Sequence, residues 1–152
     1  MHYTGIGSRS TPPLIRKRMT AIAEEKRRLG FILRSGAAMG ADEAFEEGAG
    51  EEKEIWLPWL GFRSHSSLLV PSPSAFRLVL KYHPNPQALM YSKTNWQLHA
   101  RNCHQVLGAD LKTPSSELVC WTPKGEFVGG TATALRIAHD WGIPIINLGK
   151  GK

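Results

Sequence analysis

The stretch Phe31-Ile32-Leu33-Arg34-Ser35-Gly36-Ala37-Ala38-Met39-Gly40-Ala41-Asp42-Glu43-Ala44-Phe45-Glu46-Glu47-Gly48 changes character twice within eighteen residues. Phe31 to Arg34 reads as a short strand, Ser35 to Gly40 as a loop of small residues, and Ala41 to Gly48 as a helix. The same order stands upstream. Tyr3 to Ile6 reads as a strand, Gly7-Ser8-Arg9-Ser10 as a loop, and Thr11-Pro12-Pro13 as a helix start with Thr11 as N-cap and proline in the first turn. That helix places Leu14, Ile15, Met19, Ile22 and Ala23 at near-helical spacing and stops at Gly30, while Arg16, Lys17, Arg18, Lys26, Arg27 and Arg28 mostly face water.

Downstream, Glu54 to Leu57 predicts a third strand ending at Pro58-Trp59. From Gly61 to Pro86 the alternation lapses into a polar run, Ser64 to Ser67, and then Pro71, Pro73, Pro84 and Pro86. This reads as a long excursion with one or two helical turns near Ala75 to Leu80, and excursions of that length are usually functional or mobile. The pattern then returns: a helix from Thr94 to Leu107 closed by Gly108, a strand from Leu118 to Trp121, a glycine-bearing loop from Gly125 to Gly130, a helix from Thr131 to Trp141 and a last strand from Ile143 to Leu148. Strands alternating with helices require crossovers, so the predicted architecture is a Rossmann-like three-layer α/β sandwich around a mostly parallel sheet. Ligands of such sheets bind outside the carboxyl ends of the strands, where strand order reverses.

Composition bounds the rest. A chain of 152 residues, 41% hydrophobic, is long enough for one core without disulfide or metal staples, so residues 1–152 are expected to form one domain. No Gly-X-Y period, sustained heptad or solenoid repeat is present, which excludes collagen, long coiled coil and repeat arrays. Nineteen Lys and Arg against thirteen Asp and Glu give a net charge of +6, which suits an anionic partner and equally serves solubility. Cys103 and Cys120 lack ligand spacing, so free thiols in a reducing, cytoplasmic setting are expected. No charged-then-apolar leader or long apolar run appears, so neither secretion nor a membrane partner is expected.

Three glycine-bearing loops follow three predicted strands: Gly5 to Arg9, Ser35 to Gly40, and Gly129-Gly130-Thr131. In a parallel sheet all three fall on one edge. Glycine lets main-chain amides approach a ligand, and each following helix contributes unpaired donors and partial positive charge, which suits a phosphate. The candidate ligand-binding residues are Gly7, Ser8, Arg9, Arg34, Ser35, Gly36, Gly40, Arg101, Asn102, Gly129, Gly130 and Thr131. There is no GxxxxGK[ST] loop, and Gly5 and Gly7 lack the third glycine of a dinucleotide fingerprint. Asp42 and Glu46, spaced i, i+4 on the second helix, are the candidate catalytic carboxylates. The helix bearing Arg101 and Asn102 also presents Trp96, His99 and His104, and Trp56, Trp59 and Trp121 flank strand ends where a nucleobase can stack. The histidines lack mutual ligand spacing, so no metal is expected, and no cofactor is assigned.

Taken together, YTGIGSRSTP, LRSGAAMGADEAFEEGA, IWLPW, ARNCHQVLG and VGGTATALRIA resemble the SLOG superfamily, and within it the small DprA-like (DNA-processing protein A) Rossmann proteins common in phage genomes. The resemblance spans most of the chain except 61–86. It implies binding of nucleotides, nucleotide-derived signals or nucleic acid, and association into homo-oligomers. Gly7-Ser8-Arg9, Gly40-Ala41-Asp42, Arg101-Asn102 and Gly129-Gly130-Thr131 stand where the DprA pattern has its loops, which implies single-stranded DNA binding. The phosphoribohydrolase relatives carry a PGGxGTxxE loop whose glutamate acts in cleavage, and Ala134 stands at that place here. The leading expectation is therefore nucleotide or single-stranded nucleic-acid phosphate binding in DNA processing. The alternatives are an N-glycosidic hydrolase or transferase using Asp42 and Glu46, and a sensor or sponge for a nucleotide signal.

Overall fold

The computed structural model describes residues 1–150. Five strands, β1 (His2–Gly5), β2 (Ile32–Ser35), β3 (Lys53–Ile55), β4 (Leu118–Cys120) and β5 (Ile145–Asn147), form one sheet in the order β3-β2-β1-β4-β5. Every pairing is parallel, with Tyr3 opposite Leu33, Thr4 opposite both Arg34 and Leu118, and Val119 opposite Ile146. The chain steps outward from β1 to β3, then returns to place β4 on the other side of β1. Strand order therefore reverses between β1 and β4, which opens a crevice at their carboxyl ends. This is the Rossmann-like sandwich that the alternation predicts.

Successive strand residues face opposite layers. Tyr3, Leu33 and Val119 pack with Met19 and Ala23 of α1 (Pro13–Arg28) and with Ala41, Ala44 and Phe45 of α2 (Ala41–Ala49). Leu118 and Cys120 pack on the other face with α3 (Pro73–Tyr82), α4 (Lys93–Leu107) and α5 (Ala132–Asp140). The turn of Arg34 to this second face defines its role: its guanidinium donates to the Thr113 carbonyl at 2.7 Å and to the Ser115 hydroxyl at 3.2 Å.

Two local expectations change. Thr11 is not the N-cap of α1; Pro12 holds that position, and the Thr11 hydroxyl donates to the Ser8 carbonyl at 2.6 Å, closing the preceding loop. The excursion holds a complete ten-residue helix, α3, instead of one or two turns. Pro73 is harmless in its first turn, and the Ser72 hydroxyl accepts the Ala75 amide at 3.3 Å. Ahead of α3, Leu69 pairs with Trp56 in a parallel bridge beyond β3. No helix among the described residues is long and apolar enough to cross a membrane.

Candidate functional site

The first two glycine loops interlock, and the third borders the same cavity. Ser8 in the β1–α1 loop donates its amide to the Trp121 carbonyl at 3.2 Å, which fastens that loop to the end of β4. A Cβ on Gly7 would lie 2.8 Å from the Cβ of Ala41 and 3.0 Å from the Trp121 oxygen, so the loop threads between the start of α2 and the end of β4. Gly40 has φ +82°, and a Cβ there would stand 2.8 Å from the Arg9 carbonyl oxygen. At these two positions the interlocking of backbones excludes any side chain.

Above this junction lies a cavity of about 630 Å³, within the range of small-ligand sites. Of the residues singled out in the sequence, Gly7, Ser8, Arg9, Asp42, Arg101, Asn102, Gly129, Gly130 and Thr131 line it. The amides of Gly7, Arg9, Gly129 and Gly130 donate to no acceptor among the described residues. Arg9 is exposed and has no carboxylate partner among them.

The remaining candidates are held elsewhere. Glu46 pairs with Lys53 at 2.9 Å and with His65 at 2.7 Å, one helical turn beyond Asp42, so the two carboxylates do not share the cavity. Arg34 is buried, its Nη1 bonded to the 113–115 segment and its Nε 3.5 Å from a Glu54 carboxylate oxygen, and it does not line the cavity. The Ser35 hydroxyl is buried and donates to the Gly5 carbonyl at 2.6 Å. The Gly36 carbonyl accepts from Arg101 Nη1 at 2.7 Å, and Gly40 backs the Ser8–Arg9 turn. These last three shape the loops without lining the cavity.

Helix α4 braces the site. Arg101, itself buried, ties to the Gly36 carbonyl and through Nε to Asn102 Oδ1 at 3.2 Å, and it lies 5.9 Å from the centre of the Phe62 ring. Asn102 Nδ2 donates to the Gly130 carbonyl at 2.6 Å, so adjacent residues of α4 grip the second and third loops. Asp42 accepts the Ala38 amide at 3.2 Å. Burial lifts its carboxyl from 3.8 to about 6, opposed chiefly by the Arg101 charge and the Ala38 amide. A carboxyl of that kind exchanges a proton near neutral pH. His99 lines the cavity, hydrogen-bonded to Thr133 Oγ1 at 2.8 Å; desolvation brings it down to about 4, so it is a neutral ring.

The aromatic residues divide. Trp59, 36% exposed, lines the cavity and meets Phe62 edge to face at 5.3 Å, forming a lip. Trp56 is buried and stacks on His104 at 4.4 Å, Trp96 donates to the Phe76 carbonyl at 2.8 Å inside the α3–α4 contact, and Trp121 packs on the α1/α2 side. Sequence reasoning missed Phe62 and Gln105 as lining residues. Gln105 carried a signal, since it stands i+4 from Arg101 and i+3 from Asn102 on one helical face. Phe62 had none, because the excursion gives no periodicity. Among the described residues no group of three His, Cys, Asp or Glu is placed to hold a metal ion.

Comparisons with known proteins bear on the fold. No protein-family model and no curated protein matches the chain. Among solved structures it is similar to DNA processing protein A from Helicobacter pylori, described for its single-stranded DNA binding mode, with a TM-score of 0.56 and 14% identity. The likeness covers 97% of this chain and 64% of that one, so the chain spans under two thirds of its neighbour. At that identity the finding establishes a DprA-like Rossmann fold.

Proposed function

We propose that the cavity binds one phosphate-bearing nucleotide unit, either free or within a single-stranded nucleic acid, and that the chain serves DNA processing as a DprA-like binding module of the SLOG type. The observation that carries this reading is the set of four unpaired amides, at Gly7, Arg9, Gly129 and Gly130, on loops that border one cavity. Unpaired main-chain amides favour an anion, the more so at Gly129 and Gly130, which lead into α5, and Arg9 adds an exposed charge at the mouth. The Trp59–Phe62 lip supplies a face on which a base can stack. The likeness to a single-stranded DNA-binding protein supports the same reading, and the free buried thiols of Cys103 and Cys120 suit a cytoplasmic location.

Fluorescence anisotropy with a labelled single-stranded oligonucleotide tests it. The logarithm of the affinity is expected to fall linearly with the logarithm of salt concentration, by about 0.7 per neutralised phosphate, and Arg9→Ala is expected to reduce that slope. Competition by mononucleotides separates free from polymeric ligand. A flat titration, or no binding at low salt, rejects the nucleic-acid form.

A second reading is favoured by Asp42. A carboxyl raised to about 6 inside a nucleotide-sized cavity suits cleavage of an N-glycosidic bond, where it activates water or stabilises an oxocarbenium-like centre. With Glu46 turned away, Asp42 would act without a second carboxylate. Incubation with a nucleotide panel is then expected to release free base, and Asp42→Asn to abolish the release. An inert wild type removes this reading.

A further inference from the structure

Gln105 is 1% exposed, and neither Nε2 nor Oε1 of its carboxamide has a hydrogen-bond partner among the described residues. It is the only residue with both ends of a buried polar group in that condition among them. Its backbone is well anchored, since the Thr4 hydroxyl donates to its carbonyl at 2.6 Å, while its side chain is buried without being satisfied. Gln105 lines the cavity one helical turn beyond Arg101 and nearly one turn beyond Asn102, the residue that grips the Gly130 loop. A Cβ on Gly36 would collide with Gln105 Nε2 and stand 2.6 Å from Arg101 Nη1 and 2.9 Å from Asp42 Oδ2. Three polar side chains therefore converge at the cavity's inner end, and glycine at 36 leaves room for them.

A buried amide with a free donor beside a free acceptor is an incomplete hydrogen-bond pair, and its complement is a group that offers an acceptor beside a donor. Phosphate does not fit, because it has no donor for Oε1 and because the Asp42 carboxylate stands close by. The edge of a nucleobase does fit: glutamine pairs with such edges through two parallel bonds. The Trp59–Phe62 lip, two rings set edge to face, offers aromatic surface to a planar ring, while the unpaired loop amides are left for the phosphate.

Resting on the binding role proposed above, we infer that Gln105 reads the base of the bound nucleotide, making the cavity selective for a base edge and not for sugar-phosphate alone. The test is isothermal titration at low salt with the four ribonucleoside 5′-monophosphates and, as a base-less probe, ribose 5-phosphate. Wild type is expected to bind at least one monophosphate tenfold or more tightly than ribose 5-phosphate. Gln105→Met, of similar length but without hydrogen-bonding atoms, is expected to erase that margin, leave ribose 5-phosphate affinity within twofold, and keep or raise the thermal midpoint. Gln105→Glu, which offers acceptors only, is expected to reorder the four bases. Equal wild-type affinity for ribose 5-phosphate and all four monophosphates overturns this inference alone, as does a methionine variant that keeps the margin or melts well below wild type. Failure of every probe to bind overturns this inference, and failure of the labelled oligonucleotide as well overturns the anion-cradle reading along with it.

Discussion

At Gly40 an added Cβ would stand 2.8 Å from the Arg9 carbonyl oxygen, whereas at Gly129 and Gly130 it would meet nothing within 4 Å. The two ends of one rim thus use the same residue for opposite purposes. In the first two loops glycine lets backbones interlock, and those loops hold β1, β2 and β4 at a fixed spacing. In the third it leaves backbone uncovered at the mouth of the cavity, gripped from one side by Asn102. The difference teaches that a glycine-rich edge is not uniformly a ligand cradle: part of it is masonry, and part of it is surface.

The largest expected effect breaks the masonry. Gly40→Ala combines a positive φ of +82° with a collision against the Ser8–Arg9 backbone, neither of which a flexible side chain can relieve. A loss of about 2–5 kcal/mol in unfolding free energy is expected, read as a shift of the urea midpoint at constant slope. A shift below about 1 kcal/mol would show that the two loops are not locked.

Next in size is the charge that the locked loops enclose. The folded protein keeps the Asp42 proton up to about pH 6, while the unfolded chain releases it near 3.8. Between those values the folded state binds more protons, so stability falls as pH rises through the window and levels off above it. Relative to Asp42→Asn, wild type is expected to lose on the order of 2–3 kcal/mol between pH 4 and pH 7. The asparagine still accepts the Ala38 amide, and the loss of a partner for Arg101 is a constant offset because that guanidinium stays charged throughout. Parallel denaturation of both proteins across the window reads the difference directly; curves that stay parallel would place the Asp42 carboxyl in water.

How much of this was legible beforehand depends on which contact decides each residue. The strand-loop-helix units at 3–30 and 31–48 announce a parallel sheet because their apolar periods switch at glycine, and the switch is local. Asp42 is legible for the same reason, standing in the first turn of α2 beside its loop. Glu46 shares its helical face, yet it is captured by Lys53 and His65, and the His65 contact is created only when the chain beyond β3 folds back. Arg34 reads as a loop-side cation until the pleat turns it onto the opposite layer, against residues 113–115. The helix α3 hides among four prolines, because sequence alone does not distinguish a proline that opens a helix from one that ends it. Phe62 enters the site through a fold-back with no periodic signal, and Gln105 matters through what it fails to touch.

The smallest stability effect sharpens the comparison from the open side. Gly130 lacks the positive φ of its neighbour, and a methyl group there meets empty space, so Gly130→Ala is expected to change unfolding free energy by less than about 1 kcal/mol. Its effect on binding should be disproportionate. The added methyl group would stand beside an amide with no protein acceptor, on the loop that Asn102 holds in place and cannot yield without breaking a 2.6 Å hydrogen bond. A ligand that uses that amide is pushed away or tilted, and affinity for a mononucleotide or oligonucleotide is expected to drop fivefold or more at unchanged thermal midpoint. Binding that stays at the wild-type level would move the anion off the third loop and onto the Gly7–Arg9 amides alone, and the open end of the rim would then be surface without a ligand.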